Sequence, residues 1–127
     1  MTNEQRELRA PSTSDFHLDV EGVGTFVFAR RTMRDELRIS AEYSRLTEGV
    51  LTPTPYLDTV AGWMATLKVL TVKCPHNWDP ETMDPFDTDT EEKILKVYGA
   101  LRVKEGSFRK KPQVDSQAER PGTVPDA

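Results

Sequence analysis

The chain has 127 residues, 36% hydrophobic and 30% charged, and a net charge of −4 at pH 7. That length suits one domain with one modest core, and the acidic balance argues against a general nucleic-acid binder, which carries a basic surplus or face. The lone cysteine, Cys74, excludes an intramolecular disulfide framework and suits a reducing compartment.

The start, MTNEQRELRAPSTSD, lacks the apolar stretch of a signal peptide, and no run approaches the ~20 apolar residues that span a bilayer. A soluble intracellular protein is expected, with no membrane or nucleic-acid partner. Residues 1–14 are polar and cannot bury enough apolar surface to offset their ordering entropy, which predicts a disordered, mobile arm. Phe16, Leu18 and Val20 then alternate with His17, Asp19 and Glu21, the period of a half-buried strand. Gly22 and Gly24 permit a tight turn. Thr25 to Arg30 (TFVFAR) is rich in β-branched and aromatic residues and returns as a second strand. A two-stranded hairpin is marginal alone, so it must rest on something.

Thr32 reads as an N-cap, with Asp35 and Glu36 in the first turn where the helix dipole favours acids. Ile39, Tyr43, Leu46 and Val50 recur at helical spacing, and Met33 and Leu37 widen the stripe at its start. With Gly49 as a stop, the spacing predicts a helix from about Met33 to Glu48. Prolines 53 and 55 stiffen the connector, and Thr54-Pro55 opens a second helix. This run, over 55–73, is apolar on so much of its circumference that it belongs in a bundle centre or against a partner chain. Pro75 ends it.

Residues 74–90 form a proline-punctuated loop, expected to be pinned to the core by Trp78, Met83 and Phe86. From Asp79 to Glu92 the chain carries seven acids and no Lys or Arg. Asp89 and Glu92 have capping-box spacing, which predicts a third helix from about Thr90 to Phe108. Arg109, Lys110 and Lys111 suit its C-terminus, and 111–127 reads as a disordered tail. The expected fold is α+β, mainly α: an N-terminal β-hairpin followed by three α-helices, in a single domain over 15–110.

Candidate chemistry is sparse. Cys74 and His76 form a C-x-H pair, but a structural zinc site needs four ligands and the only other histidine is His17. Asp84, Asp87 and Asp89 lack the glycine and the spacing of a calcium loop. No nucleophile elbow, phosphate loop or buried carboxylate pair is evident. No enzyme, metal or cofactor is expected. Arg30, Arg31, Arg34 and Arg38 are the best polar cluster. They read either as a solvated face with local ion pairs, including Glu42 with Arg38 and Arg45, or as a docking patch. The occupant of such a patch could be the acid-rich 79–92 segment of the same chain or of another subunit.

The segments GTFVFARRTMRDELRISAEYSRLTEG, AGWMATLKVLTV and KILKVYGALRVKEGSFR, with Trp78-Asp79 and Asp84-Pro85 between them, resemble small tail assembly chaperones of long-tailed bacteriophages and prophages. The resemblance covers about Asp15 to Arg109. It implies a non-enzymatic protein of the host cytoplasm that coats the helical tape-measure protein, assists tail tube subunits to polymerise around it, self-associates, and is absent from the finished virion. No binding motif of that family transfers residue by residue. An apolar groove with a charged rim would suit a client helix, and Trp63, Met64 and Leu67, or Met83 and Phe86, could line it, the helix positions reading at least as well as core. A structural minor tail or head–tail connector subunit, and a small DNA-binding regulator using the 30–38 arginines, stand as alternatives.

Overall fold

A computed structural model describes residues 5–109. Its elements run β1 (Gln5–Glu7), β2 (Phe16–Val20), β3 (Gly24–Phe28), α1 (Met33–Leu46), α2 (Pro55–Leu70), β4 (Thr71–Pro75) and α3 (Thr88–Ser107), with a 3₁₀ turn at Pro80–Thr82. The α+β, mainly α class holds, with the hairpin followed by three helices. The tail expected over 111–127 lies outside the described residues.

The hairpin forms as its alternation predicts, with Phe16 opposite Phe28 and Val20 opposite Gly24. Gly22 takes φ 81° and Gly24 φ 145°. At Gly24 the constraint is also steric, because a Cβ would stand 2.6 Å from Pro75 Cγ. What the hairpin rests on is a further strand. The sheet order is β1-β4-β3-β2, antiparallel throughout, with a register shift between Val27 and Phe28.

Two expectations are corrected here. The second helix stops at Leu70, and Thr71–Pro75 becomes a central strand. The β-branched Thr71 and Val72 favour that state, and Pro75 drives Cys74 towards extended backbone. Both outer edges of the new strand are satisfied, one by β3 and one by β1. The second correction follows from the first. The 1–14 segment, expected as a mobile arm, contains β1, and its Leu8 N–H donates to Val72 O at 2.7 Å. Backbone pairing, rather than apolar burial, holds this polar segment.

The core lies where one sheet face meets α2 and α3. Phe26, Phe28, Leu67, Leu70, Val97 and Leu101 are fully buried there. Phe26 and Phe28 stack with centroids 5.6 Å apart, and Trp78 meets Phe26 edge-on at 5.3 Å. Phe86, expected to help pin the loop, is 91% exposed, so Trp78 and half-buried Met83 carry that task. Met33 and Leu37 are also exposed rather than part of the α1 stripe; only Ile39, Tyr43 and Leu46 of that stripe turn inward. The cap of α3 is Asp87, not Asp89. Thr90 is buried inside the first turn, which moves the start of the helix towards the earlier acid.

The one buried side chain of α1 is a carboxylate, Asp35. It closes a capping box, accepting from Thr32 N–H at 3.0 Å while its own N–H donates to Thr32 Oγ1 at 3.2 Å. Arg9 reaches it from the N-terminal segment at 3.2 Å and also donates to Val69 O at 2.8 Å. Burial alone would raise the Asp35 carboxyl, but the Thr32 N–H, the Arg9 charge and the Thr32 hydroxyl outweigh it and hold the pKa below its ordinary 3.8. A depressed carboxyl stabilises the fold fully above the unfolded value, and that stability disappears as pH falls through the native one. Asp35→Ala should therefore lower unfolding free energy by about 2–4 kcal/mol in urea titrations at pH 7. The gap between wild type and variant should close as pH falls below 3.8.

Candidate functional site

Two adjoining recesses flank the loop between β4 and α3. One, of ≈ 340 Å³, lies among α2, the end of α1, the loop and the first turns of α3. Its apolar lining includes Tyr56, Val60, Trp63, Met64 and Met83, and Glu81 and Glu91 supply negative charge. The other, of ≈ 440 Å³, is bounded by Arg6 and Leu8 from the N-terminal segment, by Met64, Leu67 and Lys68 of α2, and by residues 78–82. Met64, Pro80 and Glu81 contribute to both, so the short 3₁₀ segment is the partition between them.

The partition is held at both ends. Trp78 is buried, its N–H donates to Pro75 O at 3.0 Å, and the Arg6 guanidinium donates to its carbonyl. Further on, Arg45 of α1 reaches Glu81 at 2.6 Å and Glu42 at 2.5 Å, with Lys68 of α2 within 3.8 Å of both acids. The hydrogen bond from Arg45 holds the Glu42 carboxyl below its ordinary value, against a smaller opposing effect of burial and with help from the Lys68 charge. Tyr43 donates to Asp58 at 2.6 Å, which joins α1 to α2 beside this cluster and raises the Tyr43 pKa.

The residues singled out in the sequence divide. Trp63, Met64 and Met83 meet in the smaller recess, and Trp63 leans on Tyr98 with ring centroids 6.2 Å apart. Leu67 is 2% exposed and belongs to the core, where it forms the floor of the larger recess. Phe86 lines neither. The four arginines do not act as one patch. Arg30 lies over the Phe108 ring at 4.0 Å, and Arg31 is held by Glu105 at 2.9 Å and Glu36 at 3.2 Å. Arg34 and Arg38 are exposed, and among the described residues neither makes an ion pair.

Of the two expected pairings of Glu42, the one with Arg45 forms and is joined by Lys68, whereas the one with Arg38 does not. The acid-rich segment likewise meets Arg45 and Lys68 of its own chain, through Glu81, and not the 30–38 arginines. Tyr56 and the Arg45–Glu81 contact were missed because they depend on how the loop folds back, which no local spacing encodes.

Cys74 is fully buried and His76 exposed. Burial pushes the Cys74 thiol up, against the opposing influence of Arg6, which is the wrong direction for a reactive thiolate. Among the described residues no three His, Cys, Asp or Glu side chains are placed to hold a metal ion, and no helix is long and apolar enough to cross a membrane. What the site offers chemically is an open apolar recess with an acidic margin. Comparison of the chain with family models, with curated proteins and with solved structures finds no match.

Because the cluster at Glu81 is exposed, its contribution is local. Glu81→Arg should leave global stability within about 1 kcal/mol of wild type. It should also raise amide hydrogen exchange selectively over residues 79–84; unchanged exchange there would show that Trp78 and Met83 hold the loop without the ion pairs.

Proposed function

We propose that this chain is a tail assembly chaperone of a long-tailed bacteriophage or prophage, which holds helical segments of the tape-measure protein in the recess between α2 and the acidic loop. The observation that carries this reading is the grouping of Tyr56, Trp63, Met64 and Met83 around one open recess with Glu81 and Glu91 beside them. The resemblance over Asp15 to Arg109 supplies the identity of the client.

Helix-in-groove recognition needs an apolar trough that accepts side chains at successive turns of the client, with charge at the margin to set its direction. The part of α2 that lines the recess runs from Tyr56 to Met64 and so offers about 12 Å of wall, enough for roughly two client turns. Methionine adapts to varied side chains without a fixed shape, which suits a client that presents many similar but unequal segments. The acidic margin selects Lys or Arg beside the client's apolar stripe.

A recess of ≈ 340 Å³ receives only a few side chains, so each contact is weak. Many copies along one long client gain by effective concentration instead. Weak individual contacts also let tail tube subunits displace the chaperone in turn, which accords with a role in the host cytoplasm and absence from the finished particle.

Co-expression with the tape-measure protein of the same bacteriophage or prophage tests the reading. The wild-type chain should keep that protein soluble and co-purify with it. Tyr56→Ala with Glu91→Lys, both at exposed positions of the recess, should reduce the recovered complex at least about tenfold with an unchanged circular dichroism spectrum. Absence of any complex with the wild type would overturn the assignment, and so would stoichiometric copies in purified particles by mass spectrometry.

A further inference from the structure

One wall of the larger recess is made by Arg6 and Leu8, and the segment that carries them is attached unlike any other. None of residues 5–9 is buried, and Leu8 is 43% exposed. The attachment is polar throughout. β1 pairs with β4 over three residues, Leu8 N–H donates to Val72 O at 2.7 Å, and Gln5 Nε2 donates to Thr25 O at 2.8 Å. Two guanidinium groups complete it: Arg6 donates to Trp78 O, and Arg9 to Val69 O and Asp35. A segment with few apolar contacts and exposed backbone bonds belongs to the least stable part of a fold.

Arg6 stands opposite Cys74 in the strand register, and directly paired residues share one face of a sheet. Its side chain therefore covers a thiol that is 0% exposed and belongs to the core cluster. That cover is imperfect. Among the described residues Arg6 Nε is buried without a hydrogen-bond partner. Water would satisfy this donor on release, so part of the energy lost by detaching the segment is returned. Residues 10–14 beyond it are exposed. They lead into a turn closed by its own bonds, from Ser12 N–H to Asp15 Oδ2 at 2.8 Å and from Asp15 N–H to Ser12 O at 3.2 Å. Neither bond involves residues 5–9, so the turn survives their release and serves as a hinge.

We propose that residues 5–9 are a detachable strap that swings about the Ser12–Asp15 turn while β2, β3 and β4 stay paired, opening the larger recess, uncovering Cys74 and freeing the outer edge of β4. Release also unties the Trp78 carbonyl, one of the two holds on the partition between the recesses. The state of the strap is thereby transmitted to both of them. The device follows from this chain alone and stands whether or not the client is a tape-measure protein.

Native-state hydrogen exchange and thiol labelling of the full chain at low urea are the test. Exchange of the Leu8 N–H and reaction of Cys74 with an aromatic disulfide reagent should each run at least about tenfold faster than global unfolding permits. Both should depend weakly on urea, because strap release exposes little surface, whereas the amides of β3 should follow global unfolding. Arg6→Gln removes a charged donor and should speed both processes at least about tenfold with circular dichroism unaltered. Arg6→Cys places a second thiol opposite Cys74, at a cross-strand separation that a disulfide spans. Oxidised, that chain should exchange Leu8 more slowly than wild type; reduced, it should exchange faster, since the Arg6 hold is gone. Leu8 and Cys74 reacting only through global unfolding would overturn the proposal. So would an oxidised Arg6→Cys chain that exchanges Leu8 as fast as the reduced one.

Discussion

Hydrogen bonding of residues 71–75 between β3 on one side and β1 on the other constrains the placement of everything else. A hairpin as short as β2–β3 cannot hold itself in water, so the strand that follows α2 without a connecting loop supplies what the hairpin lacks. Because β4 begins at the residue after Leu70, the axis of α2 is tied to the start of a central strand. Ala29 N–H, just past the end of β3, bonds to Leu70 O at 2.9 Å, so the last residue of the helix is held as well. The direction in which α2 leaves the sheet, and with it the wall of the recess, is thereby determined by strand pairing.

A second constraint acts at the far side of that junction. Arg9 joins three segments that are distant in sequence: its own N-terminal stretch, the capped start of α1 at Asp35, and the Val69 carbonyl near the end of α2. Taking a carboxylate out of water is costly unless cation and N–H donors replace its hydration. Asp35 has both, from Arg9 and Thr32. Charge burial of this kind gives less net stability than an apolar contact of similar volume, but it is directional. The N-terminal segment is thus held in one register by two independent means, β-pairing through residues 5–7 and the guanidinium of Arg9.

Much of the fold was legible wherever the signal is local. The alternation over Phe16–Glu21, the Thr32 and Thr54 caps and the apolar spacing of α3 all correspond to elements that form. What was illegible is the state of segments whose partners lie far away. Thr71–Pro75 continues the apolar pattern of α2 without interruption, and only the presence of β3 and β1 makes it a strand; tertiary pairing overrides a periodicity that cannot distinguish a buried helix turn from a buried strand. Gln5–Glu7 has no apolar pattern at all, because its attachment is through backbone and arginine. Met33 and Leu37 show the opposite failure: their spacing is right for a stripe, yet the stripe that turns inward is rotated onto Ile39, Tyr43 and Leu46. For the site, composition pointed to Trp63, Met64 and Met83, but whether such residues line a recess or fill a core is decided by the path of the loop.

The two recesses and the acidic end of α3 share one structural cause, the return of the chain from β4 to α3. Trp78 fixes where that return begins, and Glu81 with Arg45 fixes its middle against α1. What remains, from Asp84 to the Asp87 cap, is thrust outward at the head of α3. The same geometry that makes the recess therefore also exposes Phe86, and the acids divide between the two surfaces. Glu81 and Glu91 face the recess, whereas Asp89 and Glu92 lie on the exposed surface beside it.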